Sequence, residues 1–70
     1  MSDIVEKPIV NGRQFELTVR ETEHRGRAWW VATVKVPGRE RHSVGSAFFS
    51  GLSEGHVRDQ AERWMLKYRS

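Results

Sequence analysis

The sequence contains no cysteine, no long apolar run and no low-complexity segment. Without cysteine, neither disulfides nor thiolate metal sites can supplement the core, which suits a reducing compartment. No apolar stretch approaches the roughly 18 residues of a membrane-spanning helix. The first residues carry acids and a proline, whereas a signal peptide would be apolar. We therefore expect a soluble, cytoplasmic protein.

The residue patterns of common catalytic and metal sites are also missing. None of the three histidines, His24, His42 and His56, is spaced from another histidine or an acid as metal ligands are. The glycine-containing segment at residues 38–45 lacks the Lys-Ser/Thr ending of a phosphate-binding loop. No acidic pair has an apolar environment that would raise a pKa for catalysis. We expect no enzymatic activity, no metal and no small-molecule cofactor.

Length and charge set the remaining limits. A chain of 70 residues forms one domain and buries only about 60% of the surface that it exposes when unfolded. Lysine and arginine number 12 against nine acids, a net charge of +3, and most of the basic residues are arginine, which suits phosphate and carboxylate recognition. This charge alone favours nucleic-acid binding only slightly.

Two patterns predict strands in the N-terminal half. Asn11-Gly12 between extended residues is a strong hairpin signal, because both residues tolerate positive φ. A short edge strand from Ile9 is therefore expected to pair with the start of the next strand. Residues 14–23 then alternate polar and apolar side chains, as a half-buried strand does. The apolar positions on one face are Phe15, Leu17 and Val19.

Two further strands follow along the chain. Residues 28–36 are rich in tryptophan and valine and predict a strong strand, which Pro37-Gly38 ends. Residues 39–49 predict a third strand, interrupted in character by Gly45. Together with residues 14–23, these segments predict an antiparallel meander.

The loop lengths predict how these strands pair. A four-residue loop at residues 23–26 pairs Val19 with Trp30. A tight turn at Pro37-Gly38 pairs Trp30 with Gly45, which leaves room for the large ring. Both registers keep each pair on one face, as the pleat requires. Since L-Pro-Gly favours turns whose twist does not match a two-residue hairpin, a longer loop or a bulge remains an alternative for the third strand.

A C-terminal helix is predicted after residue 52. Ser53 is a good N-cap, and Leu52 and Val57 occupy the positions of a hydrophobic staple. Apolar residues then recur with helical spacing and form one stripe: Val57, Ala61, Trp64, Met65 and Tyr68. Acid-first pairs four residues apart support the opposite face: Glu54–Arg58 and Asp59–Arg63.

These elements predict an α+β fold, a three- or four-stranded antiparallel β-meander with one C-terminal helix packed on one face. Residues 1–8 are expected to form a flexible N-terminus and residues 9–70 a single domain. Trp30 and Trp64 are expected to face each other between sheet and helix. The face beneath the helix is predicted to carry Phe15, Leu17, Val19, Trp30, Ala32, Val34, Ala47 and Phe49.

The opposite face of the sheet, which we call the open face, is the candidate binding surface. In the predicted register Arg20 lies opposite Trp29, close enough to stack on its ring. Trp29 then has three interpretations: a platform for a base or a partner side chain, a residue covered by a second copy or by the N-terminal segment, or a residue whose register differs from the predicted one. The open face is predicted to carry Thr18, Arg20, Trp29, Val31, Thr33, His42, Val44 and Phe48.

Residues 26–68 contain a glycine, a tryptophan with apolar alternation, a basic turn, a Phe-containing strand and an Ala-containing helix. These features are Gly26, Trp30-x-Ala32-x-Val34, Arg39-Glu40-Arg41, Ser46-Ala47-Phe48-Phe49 and Gln60-Ala61-Glu62-Arg63-Trp64. Their order resembles the DNA-binding module of plant GCC-box regulators and of the arm-binding domains of phage-type tyrosine recombinases. The resemblance implies a sheet that enters the major groove, with candidate contacts at Arg20, Arg25, Arg27, Trp29, Lys35 and Arg41.

The same order of three strands and a helix is similar to HicB-like antitoxins and to short bacterial domains that associate through their sheets. Val31, Val44 and Phe48 make the open face more apolar than that of a groove reader, which favours a homodimer through this face. We expect a small binding module, with nucleic acid as the leading ligand and protein interaction or self-association as the alternative. Its candidate residues are Arg20, Arg25, Arg27, Trp29, Val31, Lys35, Arg41, His42, Val44 and Phe48.

Overall fold

The computed structural model describes residues 3–38 and 43–68. Their elements are β1 (Ile4–Glu6), β2 (Ile9–Val10), β3 (Arg13–Gln14), β4 (Glu16–His24), β5 (Arg27–Pro37), β6 (Ser43–Gly51) and α1 (Glu54–Lys67). Four strands form an antiparallel sheet in the order β1-β4-β5-β6, while β2 and β3 form a separate hairpin. The α1 helix packs on one face of the sheet, which confirms the α+β prediction. No helix in these ranges is long and apolar enough to cross a membrane.

The β2–β3 hairpin forms at the predicted turn. Asn11 and Gly12 have φ of 52° and 77°, the two left-handed residues of a type I′ turn, whose twist matches that of the flanking strands. Ile9 pairs with Gln14 across it. Phe15 directly follows the hairpin and is buried in the core. Its backbone N–H donates a hydrogen bond to the Pro8 carbonyl at 2.9 Å.

The β4–β5 turn has two residues, whereas four were predicted. The turn residues Arg25 and Gly26 have φ of 54° and 77°, again the type I′ conformation. The predicted pairing of Val19 with Trp30 is therefore wrong, since Val19 pairs with Ala32. This shift of two residues leaves every side chain on its predicted face, because faces alternate with a period of two.

The register of β6 also differs from the prediction. Trp30 pairs with Gly51, and Gly45 pairs with Val36. The register shifts between Val36 and Pro37. A longer loop or a bulge near Pro37-Gly38 was the alternative expected for this strand. The displacement of Trp30's partner from residue 45 to residue 51 is again even, so the faces are preserved. Residues 39–42, predicted as the start of this strand, lie outside the described residues.

Gly45 makes room for a different ring from the one predicted. A Cβ at this position would lie 3.2 Å from Tyr68 Oη and 3.3 Å from its Cε2. Tyr68 is the C-cap residue of α1, and its ring packs against the core. The missing side chain of Gly45 therefore lets the end of the helix approach the sheet closely.

The core lies between the sheet and α1. Buried positions from both elements form one cluster: Phe15, Leu17, Val19, Ala32, Val34, Val36, Val57, Ala61 and Met65. The half-buried Val10, Trp30, Phe49, Trp64 and Tyr68 pack around it. The strand alternation and the helical stripe therefore predicted the core correctly, except that Val36 was not on the predicted inner face and Ala47 is only half-buried.

The two tryptophans both pack at the edge of the core, where Trp30 lies on the sheet and Trp64 on the helix. Trp64 makes ring contacts with Phe15 and Tyr68, at centroid distances of 6.3 Å and 5.2 Å. Trp30 lies opposite Gly51, and a Cβ on Gly51 would lie 3.5 Å from Val57 Cγ1 near the start of α1. Seven residues separate Val57 from Trp64, about 10 Å along a helix.

The start of α1 has the predicted cap. The Ser53 hydroxyl accepts a hydrogen bond from the His56 N–H at 3.2 Å. Ion pairs form between Arg58 and Glu54 at 2.8 Å and between Arg63 and Asp59 at 3.1 Å, as the spacing predicted. Of the two residues of the predicted hydrophobic staple, Val57 is buried, whereas the Leu52 side chain is 61% exposed.

Strand β1 adds a fourth strand that the sequence pattern did not predict. Ile4 pairs with Val19 and Glu6 with Leu17 at the edge of the sheet. The Glu6 carboxylate accepts a hydrogen bond from the Arg58 guanidinium at 2.7 Å, which ties β1 to α1. The hydrogen bond that Arg58 donates to Glu54, and then the one to Glu6, raise the pKa of Arg58 above its ordinary value.

Candidate binding surface on the open sheet face

Strand pairing defines the open face row by row, because direct cross-strand partners share a face. One row crosses all four strands: Val5, Thr18, Thr33 and Phe48. The rows on either side are Glu16–Lys35–Ser46 and Arg20–Val31–Ser50, and the pair Thr22–Trp29 lies beyond the second. Cationic, acidic, hydroxyl-bearing and apolar side chains are therefore interleaved on one face of the sheet.

Apolar side chains on the open face differ in how far they reach solvent. Phe48 is 66% exposed and Val5 57% exposed, whereas Val31 is only 7% exposed. Trp29 is half-buried. Isolated exposed apolar residues are ordinary on a protein surface, but an aromatic ring standing 66% exposed within a sheet offers a flat contact for a ligand.

A shallow depression occupies the middle of the open face. It has a volume of about 200 Å³, below the ~300–1,000 Å³ that is typical of small-molecule pockets. The residues that line it are Asp3, Thr18, Arg20, Val31, Thr33, Lys35 and Phe48. Arg20 and Lys35 therefore lie on the same depression as the exposed Phe48 ring, a combination suited to an extended polyanion with flat groups.

A second depression, which we call the turn pocket, lies at the β4–β5 turn. It has a volume of about 490 Å³ and is lined by His24, Arg25, Arg27, Trp29 and Leu52. The rings of His24 and Trp29 are 5.9 Å apart and tilted by 50°. The pocket therefore combines an aromatic surface, two arginines and an apolar wall.

The predicted contact between Arg20 and Trp29 is wrong. Arg20 pairs with Val31, and Thr22 is the residue opposite Trp29. The two-residue turn moves each β5 residue by two positions relative to β4, which brings His24 to the Trp29 ring instead. Sequence reasoning missed His24 and Leu52 as members of this site; a two-residue turn at Arg25-Gly26 would have indicated His24.

The described candidate residues do lie on the open face or in its turn. Arg20, Val31, Lys35 and Phe48 line the central depression, and Arg25, Arg27 and Trp29 line the turn pocket. Arg41 and His42 lie outside the described residues, as does the side chain of Val44. The two depressions thus divide the predicted set into two neighbouring groups.

Cations outnumber acids on this surface. Arg20, Arg25, Arg27 and Lys35 line the two depressions, whose single acid is Asp3. Within residues 3–38 and 43–68, the ion pairs belong to Arg58 and Arg63 on α1. Arg20, Arg25, Arg27 and Lys35 therefore have no described acid within ion-pair distance, although Glu16 lies opposite Lys35 in the sheet.

The described part of the chain holds no cluster of three or more histidine, cysteine, aspartate or glutamate residues that could bind a metal ion. Its side chains leave no buried nitrogen or oxygen atom without a hydrogen-bond partner. Comparisons with protein-family models, with curated proteins and with solved structures found no match.

Proposed function

We propose that this protein is a non-catalytic module that binds nucleic acid through its open sheet face and the β4–β5 turn. The observation that carries the proposal is the presence of two accessible aromatic rings, Trp29 and Phe48, beside four cationic side chains on one surface. Aromatic side chains beside basic residues are the usual means of binding single-stranded nucleic acid without sequence preference.

The energetics suit this ligand. Stacking of a base on an aromatic side chain contributes about 1–3 kcal/mol. Each phosphate neutralised by Arg or Lys adds a salt-dependent term, through release of condensed counterions. Each depression can supply both contributions, base stacking and phosphate neutralisation. The central depression combines Phe48 with Arg20 and Lys35, and the turn pocket combines Trp29 with Arg25 and Arg27.

A salt titration tests the proposal. Fluorescence anisotropy of a labelled oligonucleotide should show binding that weakens steeply as salt rises. Replacing Arg25 and Arg27 together by glutamine should lower the slope of log affinity against log salt by up to about two. The control Arg63→Gln removes a cation on α1, away from the open face, and should leave the slope unchanged. Lack of association at low salt and tens of micromolar protein would exclude the proposal.

A second candidate function, self-association, is supported by strand β6. This strand lies at the edge of the sheet in the described residues, and its nine residues, SVGSAFFSG, contain no charge and no proline. Edge strands normally carry charged residues or proline, because these residues prevent pairing with other chains. A second copy could pair antiparallel with β6 about a two-fold axis, the commonest symmetry of homo-oligomers.

Sedimentation distinguishes the two candidates. A module that acts as a monomer should sediment as a monomer at micromolar concentration. A β6-mediated dimer should dissociate on Ser46→Lys, which introduces a charge at an exposed position of the edge strand. Lys35→Ser changes a neighbouring exposed side chain on the interior strand β5 and serves as the control. A concentration-independent dimer that only Ser46→Lys dissociates would favour self-association.

A further inference from the structure

We infer that the turn pocket binds one nucleotide unit of a single-stranded nucleic acid, with the base on Trp29 and the phosphate between Arg25 and Arg27. This inference rests on the proposed function and adds to it the site and the strandedness of the ligand. A single-stranded nucleic acid and a free nucleotide both carry a planar base linked to a phosphate, and the competition experiment below distinguishes them.

The shape of the turn pocket suits a nucleotide. Its volume of about 490 Å³ lies within the ~300–1,000 Å³ of ligand sites. The Trp29 ring is half-buried, with His24 at 5.9 Å as its ring neighbour. The Leu52 side chain is 61% exposed and forms an apolar wall of the same pocket. A base that stacks on Trp29 would therefore cover apolar surface that is otherwise exposed.

Arg25 occupies a backbone position that does not favour it. Its φ of 54° is left-handed, where a residue with a Cβ is disfavoured and Asn or Gly is preferred. The β2–β3 hairpin of the same chain has Asn11 at the equivalent position, with φ of 52°. The β4–β5 turn thus carries a guanidinium where conformation favours asparagine, which points to a role for the charge at the pocket.

The geometry favours a single strand over a duplex. The face of a base is free to stack on Trp29 only when the base has left the duplex stack. The four strands of the sheet also span about 14 Å between the outer backbones, from a strand spacing of about 4.8 Å. The major groove of DNA is about 12 Å wide, so the sheet is too broad to enter it at residues 17–19, where β1 pairs with β4.

The test compares variants of the full chain by anisotropy with a labelled thymidine 12-mer. Trp29→Leu removes the stacking surface but keeps an apolar side chain, and it should weaken binding by about tenfold. Arg25→Asn should also weaken binding severalfold, while it raises the melting temperature, because asparagine suits the left-handed position. The control Arg63→Asn has the same charge change on α1 and should bind like the parent.

Competition identifies the form of the ligand. Unlabelled single strand should displace the probe at a lower concentration than either a duplex of the same length or thymidine monophosphate. A duplex that competes better, or a mononucleotide that competes equally well, would overturn the inference of a single strand.

The outcomes separate this inference from the proposed function. If the parent protein binds no nucleic acid at low salt, the proposed function itself fails. If the parent binds and both Trp29→Leu and Arg25→Asn bind like the Arg63→Asn control, the turn pocket is not the site and only this inference fails. Should Trp29→Leu not fold, Arg25→Asn decides alone, since its folding is checked by the melting temperature.

Discussion

At the scale of single residues, a missing side chain sets the position of the helix end. Gly45 lies in the interior of strand β6, where glycine is normally unfavourable. Its neighbour is the Tyr68 ring, which packs edge-on against Phe15 at a centroid distance of 5.9 Å and lies beneath the Arg13 guanidinium at 5.4 Å. The missing side chain of Gly45 therefore leaves space for the Tyr68 ring.

Gly45→Ala is expected to lower the free energy of unfolding by about 1–2 kcal/mol, because the new Cβ would lie 3.2 Å from Tyr68 Oη. Strand propensity alone would give the opposite sign, about 0.5–1 kcal/mol in favour of alanine. Urea unfolding followed by circular dichroism measures the difference. An alanine variant more stable than the parent would show that Tyr68 moves aside at little cost.

Gly55→Ala provides the matched control for this prediction. Gly55 lies in the first turn of α1, and a Cβ there would meet no atom within 4 Å apart from its chain neighbours and the backbone of the helix itself. Alanine should therefore raise the free energy of unfolding by up to about 1 kcal/mol. Opposite signs for the two glycines would separate close packing from backbone propensity.

At the scale of elements, α1 depends on its N-cap. The Ser53 side chain satisfies the His56 N–H, one of the helix-start donors that lack a partner within the helix. Ser53→Ala is expected to cost about 1 kcal/mol of stability, whereas Ser53→Gly should cost a few tenths. Thermal unfolding of both variants checks this ranking; equal stability of parent and Ser53→Ala would show that water satisfies the donor as well.

Strand β1 is held by its pairing with β4 and by one ion pair to α1. Glu6→Gln is expected to speed amide hydrogen exchange within β1, because it removes the charge from the pair with Arg58. Global stability should change by less than about 1 kcal/mol, since both side chains are partly exposed. Asp59→Asn, which breaks the Arg63 pair instead, should leave exchange in β1 unchanged.

A rise in pH to about 9 should not break the ion pair between Arg58 and Glu6. The pKa of Arg58 is raised in the folded protein, by its hydrogen bonds to Glu54 and then Glu6. A raised pKa contributes stability that is present below the unfolded pKa and is lost as pH rises through the folded pKa. Because that window lies above the ordinary arginine pKa, β1 exchange corrected for intrinsic rates should be constant from about pH 7 to pH 9.

At the scale of the whole molecule, the core is small, so each buried aromatic side chain contributes a large share of the stability. Phe15 is 1% exposed and Phe48 is 66% exposed, so the same substitution can be compared in and out of the core. Phe15→Ala is expected to cost about 3–5 kcal/mol, close to the ~5 kcal/mol at the lower end of domain stabilities. This variant should be largely unfolded at 25 °C by circular dichroism.

Phe48→Ala is the matched control, and its free energy of unfolding should lie within about 0.5 kcal/mol of the parent value. It should nevertheless weaken oligonucleotide binding if the open face is the interface. A Phe48→Ala variant that unfolds like Phe15→Ala would mean that the two faces of the sheet have been assigned the wrong way round.

Apart from β1, the sequence determined the main elements and their faces, because these depend on local periodicity. Alternation placed Phe15, Leu17 and Val19 in the core, and the helical stripe placed Val57 and Ala61 over them. The Asn11-Gly12 turn was also readable, since its residues have a direct conformational preference. These properties need no knowledge of which strand lies beside which.

The tertiary structure decided the register, and with it the composition of the candidate site. The predicted pairings were displaced by even numbers of residues, which local alternation cannot detect because every side chain stays on its face. The displacements nevertheless changed neighbours across strands: His24 replaced Arg20 beside Trp29, and Tyr68 replaced Trp30 beside Gly45. Register depends on turn conformation and on packing between residues distant in sequence, so only the folded chain could fix it.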